Sequence, residues 1–170
     1  MTDTDGTDET DTAVRIRKMH EADVSAAMDI LDEYDMAPKT DRDDAERSEI
    51  RVENSFVAEH DGDIVGTASY IVHDDTLAET ASMAVTPDYR GEGLGYRLQA
   101  ARLEEMYSRG IETVRTETDR PGTIEWYIEH FGYERVGTNP KKHDFSLSDV
   151  DEWTVLELDL EAWAERVDRR

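Results

Sequence analysis

From Val14 onward the period of apolar and polar positions changes several times, and each change marks an element. Val14-Arg15-Ile16-Arg17-Lys18-Met19 alternates apolar and charged residues as an edge strand does. His20-Glu21-Ala22-Asp23 then leads into a run with apolar residues at Val24, Ala27, Met28, Leu31 and Tyr34, the spacing of one helix face. Residues 41–54 have helical composition with a weak apolar stripe, which predicts a surface helix at a site entrance. Ser55 to Glu59 and Ile64 to Val72 flank Asp61-Gly62-Asp63, the strongest hairpin signal in the chain. A turn at Asp74-Asp75 precedes a further strand over Thr76 to Val85. Leu94 to Arg109 is helical, with Leu94, Leu98 and Ala101 on one stripe, Ala100, Leu103 and Tyr107 beside it, and Gly110 as the stop.

Strands at Ile111 to Glu117, Tyr133 to Gly137 and Trp153 to Leu158, a short helix over Thr123 to Phe131 and a terminal helix from Leu160 to Arg170 complete the pattern, with 139–151 loop-like. The order β-α-α-β-β-β-α-β-α-β-β carries no internal repeat and no linker. It predicts an α/β (α+β) domain: a mixed, mostly antiparallel sheet of six to seven strands with helices on both faces. The twelve residues before Ala13 are almost wholly Thr and Asp, which cannot bury apolar surface, so 1–13 is expected to be a disordered acidic tail and 14–170 the single domain.

Composition narrows the function classes. The chain has 42 Asp and Glu against 19 Lys and Arg, a net charge of -23, which argues against nucleic acid as a partner because phosphate backbones need a basic face. With no cysteine, disulfides, thiolate metal sites and an acyl-cysteine intermediate are excluded. The five histidines show no metal-ligand spacing, so no metal is expected; His130 and His143 are proton-shuttle candidates only as any histidine is. Lys141-Lys142-His143 is a basic cluster that fits either an anionic substrate or a solvated loop. No apolar run reaches the roughly 18 residues of a membrane span. The first residues are acidic where a signal peptide is basic and then apolar, so no membrane partner and a cytoplasmic location are expected.

The segment that carries chemistry is Tyr89-Arg90-Gly91-Glu92-Gly93-Leu94-Gly95-Tyr96, between a predicted strand and a predicted helix. Glycines there let the backbone turn tightly and approach a ligand, and the helix N-terminus presents N–H groups at its positive dipole end, so a phosphate fits. Neither the dinucleotide spacing Gly-x-Gly-x-x-Gly nor the P-loop Gly-Lys-Ser/Thr occurs. With Ala84-Val85 and Pro87 leading into Arg-x-x-Gly-x-Gly, and with three antiparallel strands before it, the chain resembles the GNAT N-acetyltransferase superfamily from Val14 to Leu158.

The resemblance implies an N-acetyltransferase that moves an acetyl group from acetyl-CoA, its co-substrate, to a primary amine by direct attack in a ternary complex. The acceptor would be a small-molecule or peptide amine. A CoA-binding sensor or regulatory module that has lost turnover is the alternative. The resemblance further implies that the backbone from Arg90 through Gly91, Gly93, Leu94 and Gly95 to Tyr96 holds the pyrophosphate, and that Met83 and Val85 act through their backbones on the acetyl carbonyl and pantetheine. Arg97 and Arg102 are open between nucleotide phosphate contacts and solvated arginines. A homodimer through late strands is common among such proteins, and 153–158 is the segment that would supply it here.

Glu79, six residues before Val85, stands where many GNAT enzymes carry a catalytic glutamate, and alternation puts Glu79, Ala81, Met83 and Val85 on one face. It is either the general base or one more surface carboxylate. The segment Asp119 to Tyr133 resembles the second CoA-contacting region of the superfamily but lacks its initial Asn. Aligning Gly132-Tyr133 with the customary Gly-Phe puts Ile128 in place of the usual tyrosine, with Tyr127 one position early. Tyr127 is the candidate general acid for the thiolate, or a ring that packs on the sheet.

So dense a carboxylate surface points to a halophilic source, since at 1 M salt the Debye length is about 3 Å and self-repulsion is screened. The melting temperature is expected to rise between low and molar KCl; thermal unfolding across a KCl series checks this.

Overall fold

The computed structural model describes residues 13–32, 51–118, 120–140 and 152–168. The predicted tail, most of the 41–54 helix, Tyr34, Asp119 and the Lys141-Lys142-His143 cluster lie outside them; of the 41–54 segment the described end, Val52–Asn54, is a 3-10 turn. Seven strands form one sheet in the order β1-β2-β3-β4-β5-β7-β6. They are β1 (Arg15–Lys18), β2 (Ser55–His60), β3 (Asp63–Val72), β4 (Leu77–Val85), β5 (Thr113–Thr118), β6 (Glu134–Pro140) and β7 (Glu152–Asp159). Among the described residues the helices are α1 (Val24–Asp32), α2 (Leu94–Ser108), α3 (Pro121–Phe131) and α4 (Leu160–Asp168).

The sheet is mixed. β1–β2, β2–β3, β5–β7 and β6–β7 are antiparallel, whereas β4–β5 is parallel. The expected hairpin is present: Asp61 and Gly62 have φ of 53° and 87°, the two positive values of the turn that matches strand twist. At the β3–β4 connection Asp74 takes the N–H groups of Thr76 and Leu77 on Oδ1 at 2.8 and 2.9 Å, and these bonds hold its carboxyl below the usual range.

By compactness the chain divides into two units. The first contains β1, α1, β2, β3 as far as Ser69, β4 from Ser82 and α2 as far as Arg102. Its apolar clusters are Ile30, Leu31 and Ala84 with Met28 and Ile64 against them, and Met19, Ala27 and Val57 with Val24 and Val52. The edge strand β1 is fixed by Arg17, which donates to Asp23 at 2.8 Å and to Glu59 at 2.8 Å. Asp23 in turn accepts the His20 N–H at 2.7 Å, closing the start of the helical segment.

The second unit contains β3 from Tyr70, β4 as far as Ala81, α2 from Leu103, and β5 through α4. Val114, Leu156, Leu158 and Leu160 are fully buried there. Tyr70 is buried between Glu105 and Arg109, and that burial, with the Glu105 carboxylate, pushes its phenol well above the usual range. On α2 the predicted stripe is partly corrected: Leu103 and Met106 are buried, but Tyr107 is 46% exposed.

β4 alternates without interruption: Ala78, Thr80, Ser82 and Ala84 are buried, and Glu79, Ala81, Met83 and Val85 are half-buried, the four-residue face expected from the sequence. Its irregularity is at Ser82, which holds φ of 53° inside a strand, while its buried Oγ makes no hydrogen bond. Left-handed backbone costs a non-glycine residue about 1–2 kcal/mol. Ser82→Gly is therefore expected to hold or raise stability, whereas the β-branched Ser82→Val lowers it by about 1–3 kcal/mol; urea unfolding of the two variants distinguishes them.

Candidate active site

The glycine segment is built from the end of β4. Thr86 donates its N–H to Val65 O at 2.9 Å, and Pro87–Tyr89 makes a single 3-10 turn whose bonds are Tyr89 N to Thr86 O and Arg90 N to Pro87 O. Tyr89 OH meets His60 Nδ1 at 2.5 Å, tying the turn to the end of β2, and Arg90 Nε donates to Val85 O at 3.4 Å. Gly91 and Gly93 then take φ of 81° and 83°, which side-chain-bearing residues rarely adopt, so both glycines answer a demand of the backbone itself.

Gly95 answers no such demand. Its φ is not positive, and a Cβ there would meet nothing nearer than Met83 Cε at 4.0 Å, an ordinary contact. Neither conformation nor packing among the described residues requires a glycine at that position. The helix behind it starts with Leu94, which is buried, and its opening bond runs from Arg97 N to Gly93 O at 3.1 Å. The N-terminal turn of α2, from Leu94 through Tyr96, is thus the anion-favouring end of a four-turn helix.

Met83 and Val85, half-buried on β4, belong to this same unit. Two arginines left open by the sequence are both tied to the protein. Arg97 donates to Val14 O at 2.9 Å. Arg102, which the sequence offered as a phosphate ligand or a solvated side chain, is neither: its guanidinium is fully buried. It donates to Ser69 O at 2.9 Å, to Gln99 Oε1 at 2.5 Å and to Met83 Sδ at 3.4 Å. A buried cation needs such bonds because an unsatisfied one costs several kcal/mol. Here they also fix the Met83 side chain against α2.

In the second unit Glu79 is the last β4 residue of the parallel ladder, whose three pairs are Leu77–Thr113, Ala78–Val114 and Glu79–Arg115. Its side chain is only 18% exposed, and Oε1 lies 2.8 Å from His73 Nε2. On the adjoining strands Arg115 bonds Glu157 Oε2 at 3.0 Å. Sequence reading passed over His73. Its contact with Glu79 depends on how the turn at Asp74-Asp75 closes, which spacing alone does not give.

Tyr127 lies on the buried face of α3 with Ile124 and Phe131, whereas Ile128 is only half-buried. Its ring packs edge-on against Trp126 and Tyr133 at centroid distances of 5.1 and 5.0 Å. Of the two tyrosine registers, the helix face thus turns Tyr127 inward. Among the described residues no cluster of three or more His, Cys, Asp or Glu could hold a metal. Nor is any helix among them long and apolar enough to cross a membrane.

Comparison with known proteins agrees with this geometry. The chain is 29% identical over 153 residues to the amino-acid acetyltransferase of Shewanella oneidensis, covering 89% of this chain and 34% of that protein. It thus spans about a third of the length of that curated relative. Among solved structures, the ribosomal-protein-S18-alanine N-acetyltransferase from Escherichia coli superposes with a TM-score of 0.70 at 22% identity, covering 87% of this chain and 94% of that one. N-acetylglutamate synthase from Neisseria gonorrhoeae, complexed with coenzyme A and L-arginine, gives a TM-score of 0.63 at 20% identity over 87% of this chain and 33% of that one. These two likenesses establish the fold. The profile of the Acetyltransferase (GNAT) family matches residues 24–133, from the start of α1 through α3 to Tyr133, and the chain belongs to that family.

Proposed function

We propose that this chain is an N-acetyltransferase that transfers the acetyl group of acetyl-CoA to the amine of an amino acid. The observation that carries the donor is the glycine segment: Gly91 and Gly93 satisfy the backbone, and Gly95 is left for a ligand that approaches the N-terminus of α2. Coenzyme A supplies a pyrophosphate for that end. The acceptor class follows from the likeness to the Shewanella oneidensis amino-acid acetyltransferase.

The reaction is a direct attack, since the chain has no cysteine to carry the acetyl group. Glu79 takes a proton from the acceptor ammonium, directly or through one water. The freed nitrogen lone pair then forms the C–N bond to the thioester carbonyl carbon. The backbone at Met83 and Val85 takes the acetyl carbonyl and the pantetheine, and the C–S bond breaks to release the thiolate. Tyr127 protonates the thiolate, and the second proton to leave the nitrogen replaces the one that Tyr127 gave up. The sum is amide, free thiol and one proton.

A coenzyme A-binding module without turnover is the second reading, and the packing of Tyr127 into an aromatic cluster is what favours it. Thioester consumption with a panel of amino acids separates the two: binding without consumption overturns the enzyme reading. In the active enzyme Glu79→Gln is expected to lower kcat at least 100-fold, within the usual range for a lost general base; unchanged rates at every pH remove Glu79 from the mechanism. Gly95→Val is expected to leave thermal stability near that of the parent while raising the Kd for coenzyme A at least tenfold, measured by calorimetry; undiminished affinity would place the pyrophosphate elsewhere.

A further inference from the structure

The proposed reaction releases one net proton per turnover, and a base only 18% exposed must hand that proton on before the next cycle. The side chain in a position to receive it is His73, at the end of β3, with Nε2 at 2.8 Å from Glu79 Oε1 and a side chain 39% exposed. One end of the imidazole thus meets the carboxyl while the ring has access to water. We infer that His73 is the proton exit of the acetyl transfer and the residue that positions Glu79, an inference that rests on Glu79 being the base.

The surrounding charges suit the task. Asp74, next to His73, is held as a carboxylate by the N–H groups of Thr76 and Leu77, and its charge interacts favourably with a protonated His73. Asp75 adds a second carboxyl on the turn. From β5, Arg115 is the register neighbour of Glu79, and from β7 Glu157 neutralises Arg115 at 3.0 Å. That cation is therefore directed to Glu157 and does not compete with His73 for Glu79 Oε1. The step balances: the proton leaves the acceptor nitrogen for Glu79 and passes from the carboxyl to Nε2 of His73 in its Nδ1–H tautomer, the Nδ1 proton departs to solvent, and exchange with water returns the neutral ring to that tautomer before the next turnover.

Both residues lie at the end of one hairpin whose main-chain closure, His73 N to Leu77 O at 2.8 Å, needs no imidazole. His73→Gln and His73→Asn are therefore expected to fold with unchanged melting temperature and unchanged KM for acetyl-CoA. The experiment is kcat against pH at saturating acetyl-CoA and amino acid for the parent, both His73 variants and Glu79→Gln. The parent is expected to lose rate on the acid side in the range where imidazoles titrate. In the His73 variants that limb moves to lower pH by more than one unit, and the plateau falls about tenfold. A second readout needs no turnover: by NMR, titration of the His73 ring moves to lower pH in Glu79→Gln. A limb that stays in place in the His73 variants, or a plateau that falls with no change in the limb, overturns the relay while leaving Glu79 as base. Parent-like rates in Glu79→Gln overturn the base assignment and the relay together, and an unmoved ring titration overturns the pairing itself.

Discussion

The arrangement depends on what β4 does with its backbone. It begins as an ordinary parallel neighbour of β5, and the ladder ends after the third pair, at Glu79 and Arg115. Three residues later Ser82 takes a left-handed conformation, at a cost of about 1–2 kcal/mol. Side-chain alternation nevertheless continues through Val85. The strand thus presents Glu79, Ala81, Met83 and Val85 on one face while its buried face keeps Ala84 in the cluster with Ile30 and Leu31. Such a departure persists only when neighbouring contacts over-determine it. In the first unit those contacts include the buried guanidinium of Arg102, which reaches Ser69 O on one side and Met83 Sδ on the other.

Much of this was legible in the sequence because the signals were local. Asp61-Gly62 between alternating runs predicts the hairpin, and the alternation over Thr76 to Val85 predicts which residues of β4 share a face. The glycine segment was readable for the same reason: backbone conformation is encoded in the residues that adopt it, and Gly91 and Gly93 take the positive φ that their identity suggests. What escaped depends on partners distant in sequence. Arg102 looks like any helix-surface arginine until Ser69, 33 residues earlier, is seen to offer its carbonyl. Tyr107 looks apolar, and only the packing of Leu103 and Met106 decides that α2 turns it outward.

Charge was the most conspicuous feature of the composition and the least informative about the site. A net charge of -23 spread over the chain sets solubility and salt response, properties of the whole field and not of the fold. The charges that matter locally are few and paired: Arg17 with Asp23 and Glu59, His73 with Glu79, and Arg115 with Glu157. Arg97 is held differently. It binds a main-chain carbonyl instead.

Donor and acceptor recognition therefore differ in how far the sequence reveals them, and the difference is physical. An anion at a helix N-terminus is held by main-chain N–H groups, which every residue possesses, so the requirement falls on where glycines stand and leaves a short contiguous motif. Side-chain recognition is different, and the side chains near Glu79 arrive from just past β3, from β5 and from β7, at positions 73, 115 and 157. No window of the sequence contains them together. Solved structures only 20–22% identical share the fold with this chain. Features encoded in the backbone can stay fixed while side chains that converge from separate strands change.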